Sequence, residues 1–350
     1  MKKRKKIFVG LSGGVDSSVV AYLLKKEGHD VHGVFVKTWS PDWLPCTWVD
    51  EKRDAMRVCA HLGIPFHFLD AEQEYKQGVA QYMIDEYKAG RTPNPDVLCN
   101  RVIKFGVMWE YARSHGADAV ATGHYARTDG DTLMRGVDAS KDQSYFLWMI
   151  TRGELQHIMF PIGDLPKGEV RKIAERAGLF TATKKDSQGI CFLGDVDMRQ
   201  FLSHYIEQVP GLVVDTLGKV IGEHDGVWFY TLGERHGFRI TTQSTSDPRY
   251  YIVSKDVERN TLVVDTQPLM STEHTGQITV ILRDTNYLSS YDLHNSYTSQ
   301  IRYHGELIPT TIVSDTELVL EYRGVTALGQ SLVIYDGDRV IGGGIIDQVR

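Results

Sequence analysis

The segment that most constrains the fold is residues 7–24, IFVGLSGGVDSSVVAYLL. Its apolar start, residues 7–11, predicts a strand, and apolar residues then recur at helical spacing over residues 17–26. Between them lies a turn of small residues, where backbone N–H groups and the helix dipole converge and form an anion site. The turn lacks the lysine of a Walker A loop. The sequence therefore predicts a phosphate site of another kind.

Strands and helices alternate along the first third of the chain. The predicted strands are residues 7–11, 31–36, 66–69 and 119–122, and the predicted helices are residues 17–26, 51–62, 72–88 and a segment within 101–115, with a further helix at 170–178. Short apolar strands separated by helices predict a parallel sheet covered on both faces, the Rossmann-like α/β class. At the carboxyl ends of these strands, where such sheets bind ligands, small or polar residues occur at 12–17, 36–38 and 122–125. We therefore expect one nucleotide site at this edge.

The composition of the sequence changes after residue 201. Residues 211–226 resemble a small β unit, and strands and turns continue from about residue 276 onward. Asp336-Gly337 between two apolar runs predicts a β-hairpin. We expect three domains: an α/β catalytic domain at residues 1–198, a small β-rich middle domain at 199–268 and a C-terminal β-barrel-like domain at 269–350.

The net charge of −6 excludes a general nucleic-acid coat protein, so any RNA binding must use a local basic surface. No apolar run reaches about 18 residues, so we expect no membrane span. The basic residues 1–6 are interpreted as a solubilising tail and not a signal peptide. The four cysteines form no CxxC pair and no metal-ligand spacing, which predicts no metal site and favours reduced thiols in the cytoplasm.

A proline-rich segment, GRTPNPDVLCN at residues 90–100, places an acid and a thiol close together. Pro93 and Pro95 are expected to stiffen the segment and keep it out of a helix. Asp96 and Cys99 then form a positioned reactive group. The alternative is a turn capped by Asn94 or Asp96, with Cys99 as a small buried residue.

A second thiol lies in KKDSQGICFLG, residues 184–194. Lys184 and Lys185 near Cys191 would lower the pKa of its thiol and raise its thiolate fraction. The alternative is an apolar strand with a buried thiol. Cys59 lies on an apolar helix stripe and is expected to pack in the core, while Cys46 is left undecided between a structural position, in core or loop, and a chemical role.

The resemblance to a known family begins with SGGVDS, which is similar to the PP-loop of the ATP pyrophosphatases. Together with GRTPNPDVLCN, KKDSQGICF, ATGHYAR, SKDQSYFL and GQS, it extends over essentially the whole chain to the bacterial tRNA 2-thiouridylases of that superfamily. The resemblance implies an enzyme that replaces the C2 oxygen of the wobble uridine with sulfur in tRNAs for Lys, Glu and Gln. ATP adenylates that oxygen, so that AMP becomes the leaving group and pyrophosphate departs.

The resemblance also implies roles for individual residues. Cys191 carries sulfur as a persulfide, Cys99 helps to release it and can pair with Cys191 as a disulfide, and Asp96 is the general acid or base. The residues implied to bind ATP, with Mg²⁺, are Gly10, Leu11, Ser12, Gly13, Gly14, Val15, Asp16, Ser17, Val36 and Gly123. The residues implied to contact tRNA are Asn94, Pro95, Asp96, His124, Lys141, Asp142, Gln143, Arg302, Tyr303 and Gln330. The implied partners are the tRNA anticodon stem-loop and a sulfur-donating persulfide carrier protein, and the chain is expected to be a monomer.

Two residues depart from the family pattern. Leu328 stands where a Pro usually precedes Gly-Gln-Ser, and Glu234 stands where the family usually has Gln, so we expect Glu234 to weaken phosphate attraction at an RNA surface. Two other functions remain as alternatives. An amidating PP-loop synthetase of the NAD or GMP synthetase type would use ammonia or glutamine and would not need Cys99 or Cys191. A non-enzymatic RNA-binding module would leave both cysteines and SGGVDS without a purpose.

Overall fold

The structure is a computed structural model that describes residues 3–44, 48–185, 197–241, 249–267, 276–324 and 326–350. Cys46 and Cys191 therefore lie outside the described residues. The first strands are β1 (Lys6–Gly10), β2 (Asp30–Lys37), β3 (Phe66–Asp70), β4 (Ala119–Ala121), β5 (Ala126–Thr128), β6 (Leu133–Arg135) and β7 (Ile158–Met159). The first helices are α1 (Val15–Lys26), α2 (Trp48–Leu62), α3 (Glu72–Tyr75), α4 (Gln81–Lys88), α5 (Pro95–Leu98), α6 (Met108–Ser114), α7 (Arg152–Leu155) and α8 (Lys167–Arg176). Two π-helical segments, Lys76–Ala80 and Cys99–Val107, and two 3₁₀ turns, Ser144–Leu147 and Phe180–Thr183, complete this part.

Five parallel strands form the first sheet, in the order β3-β2-β1-β4-β7. Ile7 and Val9 of β1 face a core that is shared with α1, α2 and α8. Phe8 faces the other way, into a core that is shared with α5 and α6. Both faces of the sheet are covered, so the predicted Rossmann-like parallel sheet is confirmed.

The helix predicted within residues 101–115 begins earlier, at Pro95, and runs through α5, the π-helical segment Cys99–Val107 and α6. The expectation that proline keeps this segment out of a helix is wrong for Pro95. This residue lies in the first helical turn, where its missing N–H needs no partner. Asp96 and Cys99 therefore lie on a helix, and Asn94 takes the N-cap position.

The middle part of the chain forms a second sheet, as the β-rich prediction requires. After α9 (Met198–Ser203) come β8 (Gly211–Val214), β9 (Val220–His224), the 3₁₀ turn Val227–Phe229, β10 (Arg239–Ile240), β11 (Tyr251–Asp256) and β12 (Thr261–Asp265). Their order in the sheet is β10-β9-β8-β12-β11. Met83 and Ile84 of α4 belong to the core of this sheet, so the middle part packs directly on the first.

The last part of the chain is a closed β-barrel. Its strands are β13 (Ile278–Tyr287), β14 (Tyr297–Gln300), β15 (Ile308–Ile312), β16 (Glu317–Leu320), β17 (Ser331–Asp336) and β18 (Arg339–Val349). They follow the order β13-β16-β15-β14-β17-β18, and β13 also pairs with β18, which closes the ring. The hairpin predicted at Asp336-Gly337 joins β17 and β18.

The barrel and the first sheet are not separate bodies. The β5–β6 hairpin extends the barrel sheet, because β6 pairs with β18. Val333, Tyr335 and Val340 of the barrel belong to the same core as Phe8 and Val34 of the first sheet. Hydrogen bonds and apolar packing therefore cross the predicted boundaries between residues 1–198 and 269–350. Among the described helices, none is long and apolar enough to span a bilayer.

A histidine pair lies on the face of the first sheet that Phe8 occupies. His32 Nδ1 lies 2.9 Å from His67 Nε2, and His67 Nδ1 lies 3.1 Å from the Tyr111 hydroxyl. Burial lowers the pKa of His32 and outweighs the opposite effect of Asp30. Burial, together with the neighbouring His32 and His115, also lowers the pKa of His67.

We expect the protein to lose stability as the pH falls below neutral. The unfolded rings take up protons around their ordinary pKa of 6.5, whereas the folded rings resist protonation until a lower pH. The unfolded state then binds more protons, so the free energy of unfolding decreases as the pH falls through this interval. Urea unfolding between about pH 7.5 and pH 5.5 measures the slope. His67→Gln, which cannot titrate, should reduce the slope, and an unchanged slope in this variant would contradict the assignment.

Candidate active site

The turn between β1 and α1 is built to accept an anion. Gly13 has a φ of +71°, and a Cβ there would lie 2.8 Å from the Glu51 carbonyl oxygen, so only glycine fits. Gly14 is the N-cap residue, and within the described ranges no side chain caps the first turn of α1. The positive end of the α1 dipole and its first N–H groups are therefore available to a phosphate, which is what the residues of a PP-loop require.

The side chains of this turn are partly committed within the protein. The Ser12 backbone N–H donates to Ser17 Oγ over 3.3 Å, and Ser18 Oγ donates to the Gly14 carbonyl over 2.7 Å. Leu11 and Val15 are buried in the core, so only their backbone groups can face a ligand. The predicted ATP-binding stretch thus offers mainly backbone.

Lys167 supplies a charge that the sequence pattern did not reveal. Its Nζ donates to both carboxylate oxygens of Asp16 over 2.7 Å, and the Tyr125 hydroxyl donates to the same carboxylate over 2.9 Å. Lys167 is the first residue of α8. No spacing rule connects two residues so far apart in the chain, so only the fold identifies this pair.

Lys184 also reaches the turn. Its Nζ donates to the Gly13 carbonyl over 3.1 Å and to Asp54 over 2.8 Å, and Arg171 holds the Lys184 carbonyl over 3.1 Å. The sequence places Lys184 near Cys191, whose thiol lies outside the described residues. Among the described residues, the ammonium group of Lys184 contacts the phosphate turn, and its effect on the Cys191 thiol stays a prediction.

The strand ends meet as the parallel sheet predicts. A Cβ on Gly123, just beyond β4, would lie 2.9 Å from the backbone nitrogen of Ser17, so glycine allows this segment to approach α1 closely. Gly10 ends β1 beside Met108. Val36, near the carboxyl end of β2, is partly buried between two cores. These segments form one edge, at which a nucleotide would lie.

Cys99 is buried, with 1% of its surface exposed, and packs with Tyr75, Val79 and Ile103. Its helix neighbour Asp96 is only partly buried. The apolar environment of Cys99 fits the interpretation as a buried residue, and the adjacent acid fits the interpretation as a reactive group. Both descriptions apply to the same thiol.

The barrel holds the segment that precedes this helix. Gln330 Nε2 donates to the Thr92 carbonyl over 2.7 Å, and Gln330 Oε1 accepts from Asn94 Nδ2 over 3.1 Å. Asn94 Oδ1 accepts from the Ser331 backbone N–H over 2.6 Å, and the Thr92 N–H donates to the Leu328 carbonyl over 2.8 Å. Asn94 and Gln330, both expected to contact tRNA, thus bind each other and join the two domains.

An ionic cluster also holds the segment that precedes the helix, through Arg91. Glu86 is buried, with 5% exposed, and accepts from Arg91 over 2.6 and 2.8 Å and from Arg283 of the barrel over 2.7 Å. Removing one arginine would leave a buried charge partly unpaired, which is strongly destabilising. The geometry of Asp96 and Cys99 therefore depends on the barrel.

We expect Gln330→Leu to reduce turnover more than substrate affinity. The variant keeps the side-chain volume but loses the bonds to Thr92 and Asn94. At about 0.5–1.5 kcal/mol for each bond, misplacement of the helix should cost roughly tenfold in the chemical step. Gln348→Leu, an exposed glutamine of the same barrel, is the control. Single-turnover rates and binding constants separate the two effects, and a loss confined to affinity would contradict a positioning role.

The other predicted RNA contacts fall into buried and exposed groups. His124 is 7% exposed and bonds Thr122 over 2.8 Å; burial, and then Lys104, hold the pKa of its ring well below the usual value, so it is neutral. Asp142 is 6% exposed and accepts from Arg135 over 2.9 Å, among other internal donors. The side chains of His124 and Asp142 therefore stabilise the protein segments around them.

Four further residues are at least partly exposed. Lys141 lies beside Asp142, and Gln143 Oε1 accepts from the Tyr125 N–H over 3.1 Å. Arg302 is exposed in the barrel, next to the partly buried Tyr303. Lys141 and Arg302 are the cations of this group that can reach a phosphate.

The two departures from the family pattern leave the site intact. Glu234 accepts the Thr231 N–H over 3.0 Å and lies 4.0 Å from Arg199, while burial raises the pKa of its carboxyl. The Glu234 side chain is bonded within the protein but is still 34% exposed, so its effect on phosphate attraction at an RNA surface stays a prediction. Leu328 contributes its carbonyl to Thr92, and a proline would supply the same acceptor.

Three family models together match most of the chain. They are described as a tRNA methyl transferase HUP domain at residues 5–195, a tRNA methyl transferase PRC-barrel domain at 199–266 and an aminomethyltransferase beta-barrel domain at 277–346. A solved 4-thiouridine synthetase–RNA complex with bound ATP is similar over 55% of this chain and 46% of that chain, at 20% identity and a TM-score of 0.37. That likeness is too weak to add to the assignment.

Two relatives match over almost their whole length. The tRNA-specific 2-thiouridylase MnmA of Lysinibacillus sphaericus (strain C3-41) is 44% identical over 359 residues, which cover 98% of this chain and 94% of that protein. The protein of the same name from Bacillus subtilis (strain 168) is 43% identical over 367 residues, with coverages of 100% and 97%. This chain belongs to the tRNA-specific 2-thiouridylase family.

Proposed function

We propose that this protein is an ATP-dependent tRNA sulfurtransferase that converts the wobble uridine of tRNAs for Lys, Glu and Gln to 2-thiouridine. The observation that carries the proposal is the meeting of Lys167, Lys184 and Gly123 at the glycine turn of α1. Family membership agrees with it. An edge of this kind suits a nucleoside triphosphate. The nearby helix carries the thiol of Cys99 and the carboxyl group of Asp96.

ATP and Mg²⁺ fit the residues of this edge. Backbone groups from Gly10 to Ser17 would hold the phosphates, Val36 and Gly123 would line the adenosine, and Asp16 would hold the ion or its waters. ATP supplies an AMP leaving group to the C2 oxygen of the uracil. Lys167 and Lys184 neutralise the charge that develops on the departing pyrophosphate, because a preorganised cation favours the transition state.

The sulfur step uses two thiols and one carboxyl. The terminal sulfur of a persulfide on Cys191 attacks the activated C2, where the C–S bond replaces the C–O bond and AMP leaves. The thiolate of Cys99 then attacks the sulfur of Cys191, which leaves the thiocarbonyl on the base and a Cys99–Cys191 disulfide. A thiol reductant must reduce that disulfide before the next cycle. Asp96 moves the proton at the base.

The RNA surface combines a flipped base with local cations. The wobble uridine must leave the anticodon stack to reach Asp96. Pro95 would touch that base, and His124, Lys141, Gln143, Arg302 and Tyr303 would surround the loop. Asn94, Asp142 and Gln330 serve the same surface by fixing its shape. A persulfide carrier protein supplies the sulfur to a monomer in the cytoplasm.

The alternative reactions make different demands on the chain. An amidating synthetase would not need Cys99, and methyl transfer, which the family descriptions name, needs neither a thiol nor an ATP pyrophosphatase turn. The test incubates the protein with tRNA, ATP, Mg²⁺, a persulfide donor and a thiol reductant, followed by nuclease digestion and mass spectrometry. 2-Thiouridine and pyrophosphate that both depend on tRNA are expected. A methylated or amidated nucleoside in place of 2-thiouridine would overturn the proposal.

A further inference from the structure

Two aromatic rings lie beside the helix that carries Asp96 and Cys99. Phe146 belongs to the 3₁₀ turn Ser144–Leu147, and Tyr303 comes shortly after β14 of the barrel. Their centroids are 4.4 Å apart, with an angle of 44° between the planes. The ring of Tyr145, which is fully buried, supports both at 5.3 and 6.2 Å. The buried ring of Tyr145 therefore holds Phe146 and Tyr303 in place.

The fold ties this pair to the reactive helix from two directions. Asn100, which follows Cys99, donates from Nδ2 to the Phe146 carbonyl over 3.0 Å. Burial, with the carboxylates of Asp142 and Asp96, raises the pKa of Tyr303 to about 12. The influence of Asp96 on the phenol means that the two groups lie within electrostatic reach of each other. One ring is thus anchored to the helix, and the other lies near its acid.

Both rings stay partly exposed although their neighbours are buried. Leu147 and Trp148 are fully buried in the core, whereas Phe146 and Tyr303 only pack against its margin. The phenol of Tyr303 is neutral at physiological pH, so it does not repel an RNA backbone. Arg302, exposed beside it, can attract one. Partly exposed aromatic faces next to a cation are the means by which proteins hold unstacked bases.

We propose that Phe146 and Tyr303 form a stacking platform for the target uracil once it has left the anticodon stack. This inference rests on the proposed function and adds a binding group, Phe146, to it. In this arrangement the face of the uracil stacks on the two rings, and Asp96 lies at the edge of the uracil.

The test is a thermodynamic cycle between a protein change and an RNA change. One anticodon stem-loop RNA carries uridine at the wobble position, and a second is abasic there. Phe146→Leu is expected to weaken binding of the first RNA about tenfold, because base–aromatic stacking contributes about 1–3 kcal/mol. Binding of the abasic RNA should not change. Phe146→Tyr, which keeps a ring, should restore binding to near the wild-type value.

Controls separate stacking from a general loss of structure. Tyr291→Leu removes a ring from another aromatic pair of the barrel, Tyr287 and Tyr291, whose centroids are 4.7 Å apart. It should leave both affinities unchanged. Tyr303→Leu provides a second measurement of the platform if Phe146→Leu fails to fold.

The outcomes distinguish this inference from the function it rests on. Equal losses on the two RNAs, or no loss on either, would overturn the platform while wild-type 2-thiouridine formation continues. Coupling to an abasic site at a neighbouring nucleotide would overturn the assignment to the target base. Absence of 2-thiouridine with the wild-type protein would instead reject the proposed function.

Discussion

Cys99→Ser is expected to abolish 2-thiouridine formation and to leave tRNA-dependent pyrophosphate release largely intact. In the proposed mechanism, sulfur transfer needs a thiolate at this position, and a serine hydroxyl cannot attack a persulfide at neutral pH. The proposed nucleotide edge, by contrast, is built from the α1 turn and two lysines and does not include this side chain. The two half-reactions should therefore separate cleanly.

Cys59→Ser is the matched control, because both thiols are buried. Cys59 is 2% exposed on α2, and burial raises the pKa of its thiol to about 12, so it is inert. A buried hydroxyl at that site should cost roughly 1–3 kcal/mol of stability without lowering the activity per folded molecule. Mass spectrometry of digested tRNA, with thermal unfolding of each variant, checks both. Wild-type thiolation by Cys99→Ser would reject its role, and Cys191→Ser should fail in the same assay.

Lys167→Ala should lower tRNA-dependent pyrophosphate release by roughly 100-fold, which is the typical loss when one preorganised group that stabilises transition-state charge is removed. The variant also leaves the Asp16 carboxylate without the ammonium group that bonds both of its oxygens, so its negative charge would repel the phosphates. The reduction should appear even with sulfide in excess, since it precedes sulfur transfer.

Lys172→Ala controls for the loss of a charge on the same helix. Lys172 is 71% exposed and lies 3.7 Å from Glu169, an exposed pair that contributes little. Its release rate should match that of the wild type. Coupled phosphate detection after pyrophosphatase treatment gives both rates. Equal rates of pyrophosphate release for Lys167→Ala and Lys172→Ala would contradict the assignment of Lys167 to the nucleotide site.

The parallel sheet and its ligand edge were predictable from sequence because they depend on local order. Non-alternating apolar runs, small residues after each strand and the turn before α1 are contiguous patterns. The start of the helix at Pro95 was missed, because proline ends helices and also begins them. Nothing local decides between these two roles. The barrel was predictable as a class of fold but not as a partner of the first sheet.

The contacts that complete the site depend on pairs that are remote in sequence. Lys167 meets Asp16 across 151 positions, and Gln330 meets Asn94 across 236. Such pairs form only when the domains pack together, and no periodicity of the sequence predicts them. The contact of Glu234 with Arg199 belongs to the same class, because the two residues are remote in sequence.

The pairing of β6 with β18 has a consequence for biosynthesis. Leu133 finds its strand partner in Val340, roughly 200 residues later, and ribosomes add about 5–20 residues each second. The β5–β6 hairpin therefore waits for roughly ten seconds or more with an open edge, which can pair with other chains. A nascent chain that stops short of the barrel leaves part of the core that contains Phe8 unfilled. Premature termination should thus yield aggregates or protease substrates, and no partially active nucleotide-binding fragment would accumulate to compete for tRNA.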